Sequence, residues 1–434
     1  MYSKVRKIFI FVFALSLCQN VIYVMKISNT YLNICQVLAL LYVCGILIQK
    51  GKIGYIKKSI RLLHYQPLFV IFAFSIFLSV ITMLFYPGEN YFVNTIKGLV
   101  VLLTSIAVCG STYNLAFDKV FLRGLIAGYF INVIFSVLQY VSFNSGGMPV
   151  TLAYFFPQNF YYVCMQWGQN VLEITSIEAS IYSYRASGLF LECSHYVVYS
   201  SLSFLLIYRS YSALGKLTRG VFAVLTVINS LLIVVSMTGN IIIYCIALVF
   251  PIFVEVRKSR RKTNNFMIVC ALLLIVTSLL VVFNENVRNI FNTMMSSFGE
   301  ANIADGSNSG RFTGWVEGFM SWLYYPIGVG YNNAAKYLLN TATSHSTFNY
   351  PLSILLETGI FGLIAYLWSF YKNIKIAKRN GNQYAVVAMI ILFLIQFGSG
   401  QGLISFILCP VILFLRGSEN QAMISKEGKV YEQI

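Results

Sequence analysis

The chain has 434 residues, 58% of them hydrophobic and 10% charged, with 35 Phe and 30 Tyr. A soluble domain carries about a quarter charged residues, so this composition excludes a single soluble core and predicts an all-α, polytopic membrane protein, since open strands leave their backbone unsatisfied in hydrocarbon. The formal charge of +17 fits basic loops facing anionic lipid head groups better than nucleic-acid binding.

Apolar runs close to bilayer length place about twelve spans in chain order, near 8–25, 31–48, 67–86, 97–116, 124–143, 195–208, 221–237, 240–256, 266–283, 350–371, 384–400 and 402–415. The first follows "MYSKVRK" and reads as an uncleaved anchor: no small-residue cleavage site follows it, and Leu17 before Cys18 spoils a lipoprotein signal. Twelve spans put both termini on one side. If that side is cytoplasmic, 25 of the 31 Lys and Arg fall in cytoplasmic segments, the bias of the positive-inside rule. The whole chain, 1–434, then reads as one integral membrane domain.

Two outward connections are long, 144–194 and 284–349, and long loops in compact proteins usually carry function. The first contains "LAYFFPQNFYYVCMQWGQN", either an interfacial aromatic belt or a platform for sugar rings. The second contains "VRNIFNTMMSSF", which suits a helix on the membrane surface. It continues into "RFTGWVEGFMSWL", where Arg311, Trp315, Gly318 and Trp322 share one helical face. The nine cysteines show no metal spacing and read as buried small apolar residues. Cys164 and Cys193 share the first long loop, and a disulfide between them is the minority reading.

Arg185 and Arg311 are among the few basic residues on the outward side, one in each long loop. A guanidinium grips a phosphate bidentately and keeps its charge, so the pair could hold a lipid diphosphate. The alternatives are pairing with Glu192 or Glu317 and snorkelling to head groups. His345, one of three histidines, can take a proton from a hydroxyl near neutral pH, or can cap a helix. Glu357 is costly facing lipid and should face the bundle interior. Twelve residues at about 100° each put Glu357 some 120° around the helix from His345, so direct contact between the two is not expected. His195 lies at a span entrance beside Glu192.

The only aspartates are Asp118 and Asp305, and there is no Walker loop, Gly-x-Gly-x-x-Gly fingerprint or His/Cys cluster. Neither a nucleotide, a metal nor another cofactor is expected, and the donor should be lipid-linked.

These residues form a recognisable set. "GRFTGWVEGFMSWLYYPIGVGYNN" followed by "SHSTFNYPLSILLETGIFGLIAYL" resembles the O-antigen ligase/polymerase superfamily. Its pattern is an Arg shortly before a Trp, Pro-x-Gly-x-Gly, then a His-led segment ending in a helix with Glu-x-Gly. Here these are Arg311, Trp315, Pro326, Gly328, Gly330, His345, Glu357 and Gly359. Upstream, "RASGLFLECSHYVVYS" resembles the segment that in the polymerases supplies Arg185, Glu192 and His195. Two departures stand out. Ser346 follows the histidine where ligases often have Asn, leaving Asn349 as the nearest amide, and "SMTGN" between the seventh and eighth spans lacks the Arg of many members. Both lean towards polymerase.

The resemblance implies a metal-independent, inverting glycosyl transfer at the outer face of the bacterial inner membrane. The donor would be a glycan on undecaprenyl diphosphate, and the acceptor a lipid-linked repeat unit. Arg185, Arg311 and His345 would be catalytic, with Glu192, His195, Trp315, Tyr331 and Glu357 on the substrate side. A chain-length regulator and a flippase are the expected partners besides membrane lipids. The nearest alternative is a ligase to lipid A-core. From another class, a lipid-linked oligosaccharide flippase should show basic residues inside its spans and internal repeats, which are not evident here.

Overall fold

The computed structural model describes residues 2–20, 22–27, 30–50, 91–145, 186–190, 193–210, 215–235, 240–257, 308–338, 349–399 and 411–414. The predicted spans at 67–86 and 266–283, and most of 402–415, lie outside them. The helices in chain order are α1 (Tyr2–Ser16), α2 (Ile34–Lys50), α3 (Tyr91–Leu115), α4 (Lys119–Asn144), α5 (Cys193–Arg209), α6 (Lys216–Val235), α7 (Ile241–Arg257), α8 (Asn308–Tyr324), α9 (Tyr350–Arg379) and α10 (Gln383–Ser399). Four stretches among the described residues are long and apolar enough to cross a membrane: Thr95–Leu115, Lys119–Ser142, Lys216–Val234 and Tyr350–Arg379.

The first predicted span differs from the structure. Helix α1 stops at Ser16, and an antiparallel hairpin of β1 (Tyr23–Ile27) and β2 (Thr30–Asn33) follows. The cause is local. Gln19 turns back to accept a hydrogen bond from the Ile22 amide at 2.7 Å, and the next residues, "VIYVMKI", are β-branched and aromatic types that favour strands.

Small residues set the closest helix contact. Gly124 and Gly128, one turn apart on α4, face Ala14 and Cys18 at the end of α1: a Cβ on Gly124 would lie 2.5 Å from that of Ala14, and one on Gly128 2.4 Å from Cys18 Sγ. Both pairs advance together along the two helices, so α1 and α4 run parallel, with backbones brought close as small-xxx-small faces allow. A Gly128→Leu variant should lose about 2 kcal/mol or more through overpacking, read as a lower melting temperature in detergent. The Gln36–Thr104 and Ser111–Ala39 hydrogen bonds likewise set α2 and α3 parallel, while α5 runs against both α4 and α6. These directions agree with the alternation predicted from the sequence.

Helix α5 is the core. Twelve of its residues are buried, among them Tyr196, Tyr199, Ser200, Ser201 and Ser203. Their polar atoms need partners in an apolar interior, and a knot of side chains supplies some. Tyr196 donates to Asn229 Oδ1 at 2.6 Å, Asn229 donates to the Tyr129 hydroxyl at 3.3 Å, and Ser230 and Tyr244 lie 3.2 Å apart. The knot joins α4, α5, α6 and α7. At the other side of the bundle, Tyr366 of α9 donates to Gln396 of α10, and Asn382 both caps α10 through Ala385 N and donates to the Phe414 carbonyl.

Candidate functional site

Two segments meet one end of this bundle. The first is Ala186–Phe190, between α4 and α5. Leu189 O accepts from Asn20 N at 3.2 Å, which ties the segment to the end of α1. The side chains of Asn132 and Gln139 on α4 take up its main-chain groups: Leu189 N donates to Asn132 Oδ1 at 3.0 Å, and Gly188 N to Gln139 Oε1 at 2.9 Å. Gly188 has φ 58°. His195, in the first turn of α5, sits with Nδ1 3.1 Å from Asn20 Nδ2. The N-terminus of α7 closes on the same place, because Asn240 Nδ2 donates to Ser194 O at 3.3 Å.

The second segment, Tyr325–Leu338, is wedged between α3 and α9. Helix α9 opens with a defined cap: Asn349 is extended and its side chain accepts from Leu352 N, with Pro351 in the first turn. Ten residues into α9 the helical geometry fails at Gly359, with φ 67° and ψ −173°, a conformation essentially limited to glycine. The carbonyls of Leu356 and Glu357 are thereby taken by another chain segment: Val329 N donates to Leu356 O at 2.9 Å and Gly330 N to Glu357 O at 2.8 Å. Two further glycines make that approach possible. Gly328 and Gly330 have φ 101° and 86°. A Cβ on Gly328 would lie 2.7 Å from Glu357 O, and one on Gly359 2.7 Å from Ile327 O. The Pro-x-Gly-x-Gly and Glu-x-Gly motifs are thus two halves of one backbone junction.

Glu357 is buried, 7% exposed, and faces inward as expected. The main-chain N–H groups of Asn332 and Ala334 are directed at its carboxylate. They are turned that way by Asn332, which has a positive φ of 65°; successive N–H groups in such a turn form a concavity for an anion. Here the chain's own carboxyl group fills it. Tyr331 lies alongside. Burial, with the Glu357 charge adding to it, pushes its phenol well above the ordinary tyrosine range, so it is a neutral group at physiological pH. On the α3 side, Asn333 donates to Thr95 Oγ1 at 3.0 Å and Thr95 donates to Tyr331 O at 3.4 Å. A Cβ on Gly98 would lie 2.6 Å from that of Asn332.

Of the residues singled out in the sequence, Arg185, Glu192 and His345 lie outside the described residues, as do "LAYFFPQNFYYVCMQWGQN" and "VRNIFNTMMSSF". Arg311 falls in the first turn of α8. Trp315, four residues on, packs edge-on against Phe397 of α10 at 5.4 Å. Cys193 is buried at the start of α5, and Cys164 lies outside the described residues. The single helix that the phase relation between His345 and Glu357 assumes begins only at Tyr350, after the extended Asn349, and His345 itself lies outside the described residues. Asn349, the amide nearest the histidine in sequence, serves as the cap of α9.

Sequence reasoning passed over Asn132, Gln139, Asn20, Thr95 and Asn333. Carboxamides inside apolar runs were the available signal, since a polar side chain at that depth must find a partner.

The arrangement is that of a helical membrane protein with two interhelical segments anchored at one end of the bundle. Residues 221–367 match the family described as O-antigen ligase, a stretch that contains Arg311, Trp315, Pro326, Gly328, Gly330, His345, Glu357 and Gly359. The match supports the resemblance to the O-antigen ligase/polymerase superfamily over that part of the chain. No curated protein matches the chain.

Proposed function

We propose that this chain is a polysaccharide repeat-unit polymerase that joins oligosaccharides carried on undecaprenyl diphosphate, at the outer face of a bacterial inner membrane. The observation that carries the reading is the junction of the Pro-x-Gly-x-Gly segment with the Glu-x-Gly kink, inside the matched region. It stands at the same end of the bundle as the segment that joins Arg185 to His195. In this reading Arg185 and Arg311 hold the donor diphosphate and stabilise the charge that develops as it leaves. His345 accepts the proton of the acceptor hydroxyl while its oxygen attacks the anomeric carbon. The bond to diphosphate breaks, and the configuration inverts. Diphosphate is a competent leaving group, so no cofactor is required. Glu192, His195 and Trp315 are assigned to the substrate side, and Tyr331 and Glu357 to holding the loop. A chain-length regulator and a flippase are the proposed partners.

The family's description as O-antigen ligase favours one second reading, transfer of finished polymer to lipid A-core. The glycan ladder of a cell lacking the gene separates the two. Loss of a polymerase leaves single repeat units on their acceptor, whereas loss of a ligase leaves polymer on the carrier lipid.

A further inference from the structure

The opposite end of the bundle carries an apolar crevice. Gln139 of α4 lies beside Gly188, so Lys119 begins α4 at the end away from Ala186–Phe190, where α5 finishes at Arg209. There α4, α5 and the turn after α1 enclose about 450 Å³ of space, open mouth included. Leu122 and Ile126 of α4 line it with Leu206 of α5 and Ser210 just past it, while Cys18 and Tyr199 also border it. Burial shows which way it opens. Cys18 and Tyr199 are buried, whereas Leu122, Ile126, Leu206 and Ser210 are only half-buried. The mouth therefore lies beside Leu122 and Ser210, close to the ends of the two helices.

An apolar hollow of this kind stays dry, and in a bilayer the filler at hand is an acyl chain. The rim adds a second chemistry. Lys119, one turn before Leu122, and Arg123, next to it, are both exposed. Among the described residues neither pairs with a carboxylate. Asp118 is occupied as the cap of α4, accepting from Val120 N at 2.8 Å and Phe121 N at 3.3 Å. Arg209, the cation on α5, is directed over the Phe414 ring, 5.9 Å from its centroid.

We propose that this crevice binds one anionic phospholipid, with an acyl chain between α4 and α5 and the phosphate on Lys119 and Arg123. A chain alone needs no cations, and a soluble phosphate needs no hollow; the two together select a phospholipid. The isoprenoid carrier of the proposed reaction fits less well, because its diphosphate belongs to the other end of the bundle. The site does not depend on the polymerase reading.

The test uses the full-length protein, purified and stripped of lipid in detergent. It is titrated with phosphatidylglycerol and with phosphatidylcholine of the same chains, and bound lipid is counted by native mass spectrometry. One phosphatidylglycerol should be held in preference to phosphatidylcholine. The paired change Lys119→Gln with Arg123→Gln should weaken it about thirtyfold at low salt and leave phosphatidylcholine unaffected. Lys375→Gln with Lys378→Gln, two exposed cations of α9, removes the same charge elsewhere and should change neither lipid. Phosphatidylglycerol with a photoreactive chain end should crosslink to the peptides that carry Cys18 or Tyr199. Ser210→Trp, which fills the mouth, should abolish that crosslink at an unchanged melting temperature. If the tryptophan variant does not fold, the parent crosslink and the two charge pairs decide. Equal affinity for the two lipids, equal losses in the two charge pairs, or crosslinks confined to other peptides would overturn the proposal. Displacement of phosphatidylglycerol by inorganic phosphate would assign the cations to a soluble anion instead. Displacement by a lower concentration of undecaprenyl phosphate would give the crevice to the carrier lipid.

Discussion

Gly359→Ala is expected to cost about 3 kcal/mol, the sum of a disfavoured backbone and an overlap. Its φ of 67° and ψ of −173° belong to a region that a Cβ makes strained. The new methyl would also sit 2.7 Å from Ile327 O and 2.9 Å from Pro326 O, both backbone atoms without the freedom of a side-chain tip. The helix can relieve the strain only by straightening, and then it reclaims the Leu356 and Glu357 carbonyls from Val329 and Gly330. The variant should therefore undock Tyr325–Leu338 as well as melt earlier. Gly381→Ala is the matched control. Gly381 has φ 68° but nothing within 4 Å of a built Cβ, so only the backbone penalty of about 1 kcal/mol remains. Thermal unfolding of the two purified variants in detergent measures the difference. Equal losses would mean that the junction at Gly359 is not close-packed.

Glu357→Leu should be nearly as damaging, by about 2–4 kcal/mol, because the N–H groups of Asn332 and Ala334 would be buried without an acceptor. Glu357→Gln keeps one carbonyl oxygen and should lose less than half of that. Hydrogen exchange at the Asn332 and Ala334 amides reads the effect directly: fast in the leucine variant, close to the parent in the glutamine variant. Both variants fast would show that the charge, rather than an acceptor in place, holds the loop.

Much of the architecture was legible in the residues because lipid imposes a simple rule on backbone and side chains alike. The stretches at 97–116, 124–143, 221–237, 240–256 and 384–400 each meet a helix, three of which start five or six residues earlier than expected. Tyr350–Arg379 runs two turns past the predicted end at 371, because Lys372, Lys375, Lys378 and Arg379 suit a helix C-terminus leaving the apolar zone. The hairpin after α1 was missed because "VIYVMKI" is as apolar as a span, and hydropathy does not separate strand from helix.

The site was legible as a set of motifs and not as a geometry. Nothing in "PIGVG" or "ETGIF" says that one segment borrows carbonyls from the other, since that requires two glycines to face each other across the fold. Glu357 was recognised as inward-facing from the cost of a carboxylate in lipid, but its partners are main-chain amides and leave no trace in residue types. Gln139 and Asn132 were hidden for the opposite reason. Each is an ordinary residue whose meaning lies in the loop it meets, some fifty residues further along the chain.

The central claim is tested most directly by reconstitution. The purified protein, in vesicles that contain only undecaprenyl-diphosphate-linked repeat units, should build a ladder of longer lipid-linked glycans and release undecaprenyl diphosphate once per added unit. His345→Ala and Arg311→Ala should each abolish the ladder at unchanged protein abundance. A parent protein that leaves the repeat units unjoined, yet moves preformed polymer onto lipid A-core, would contradict the polymerase and make the chain a ligase.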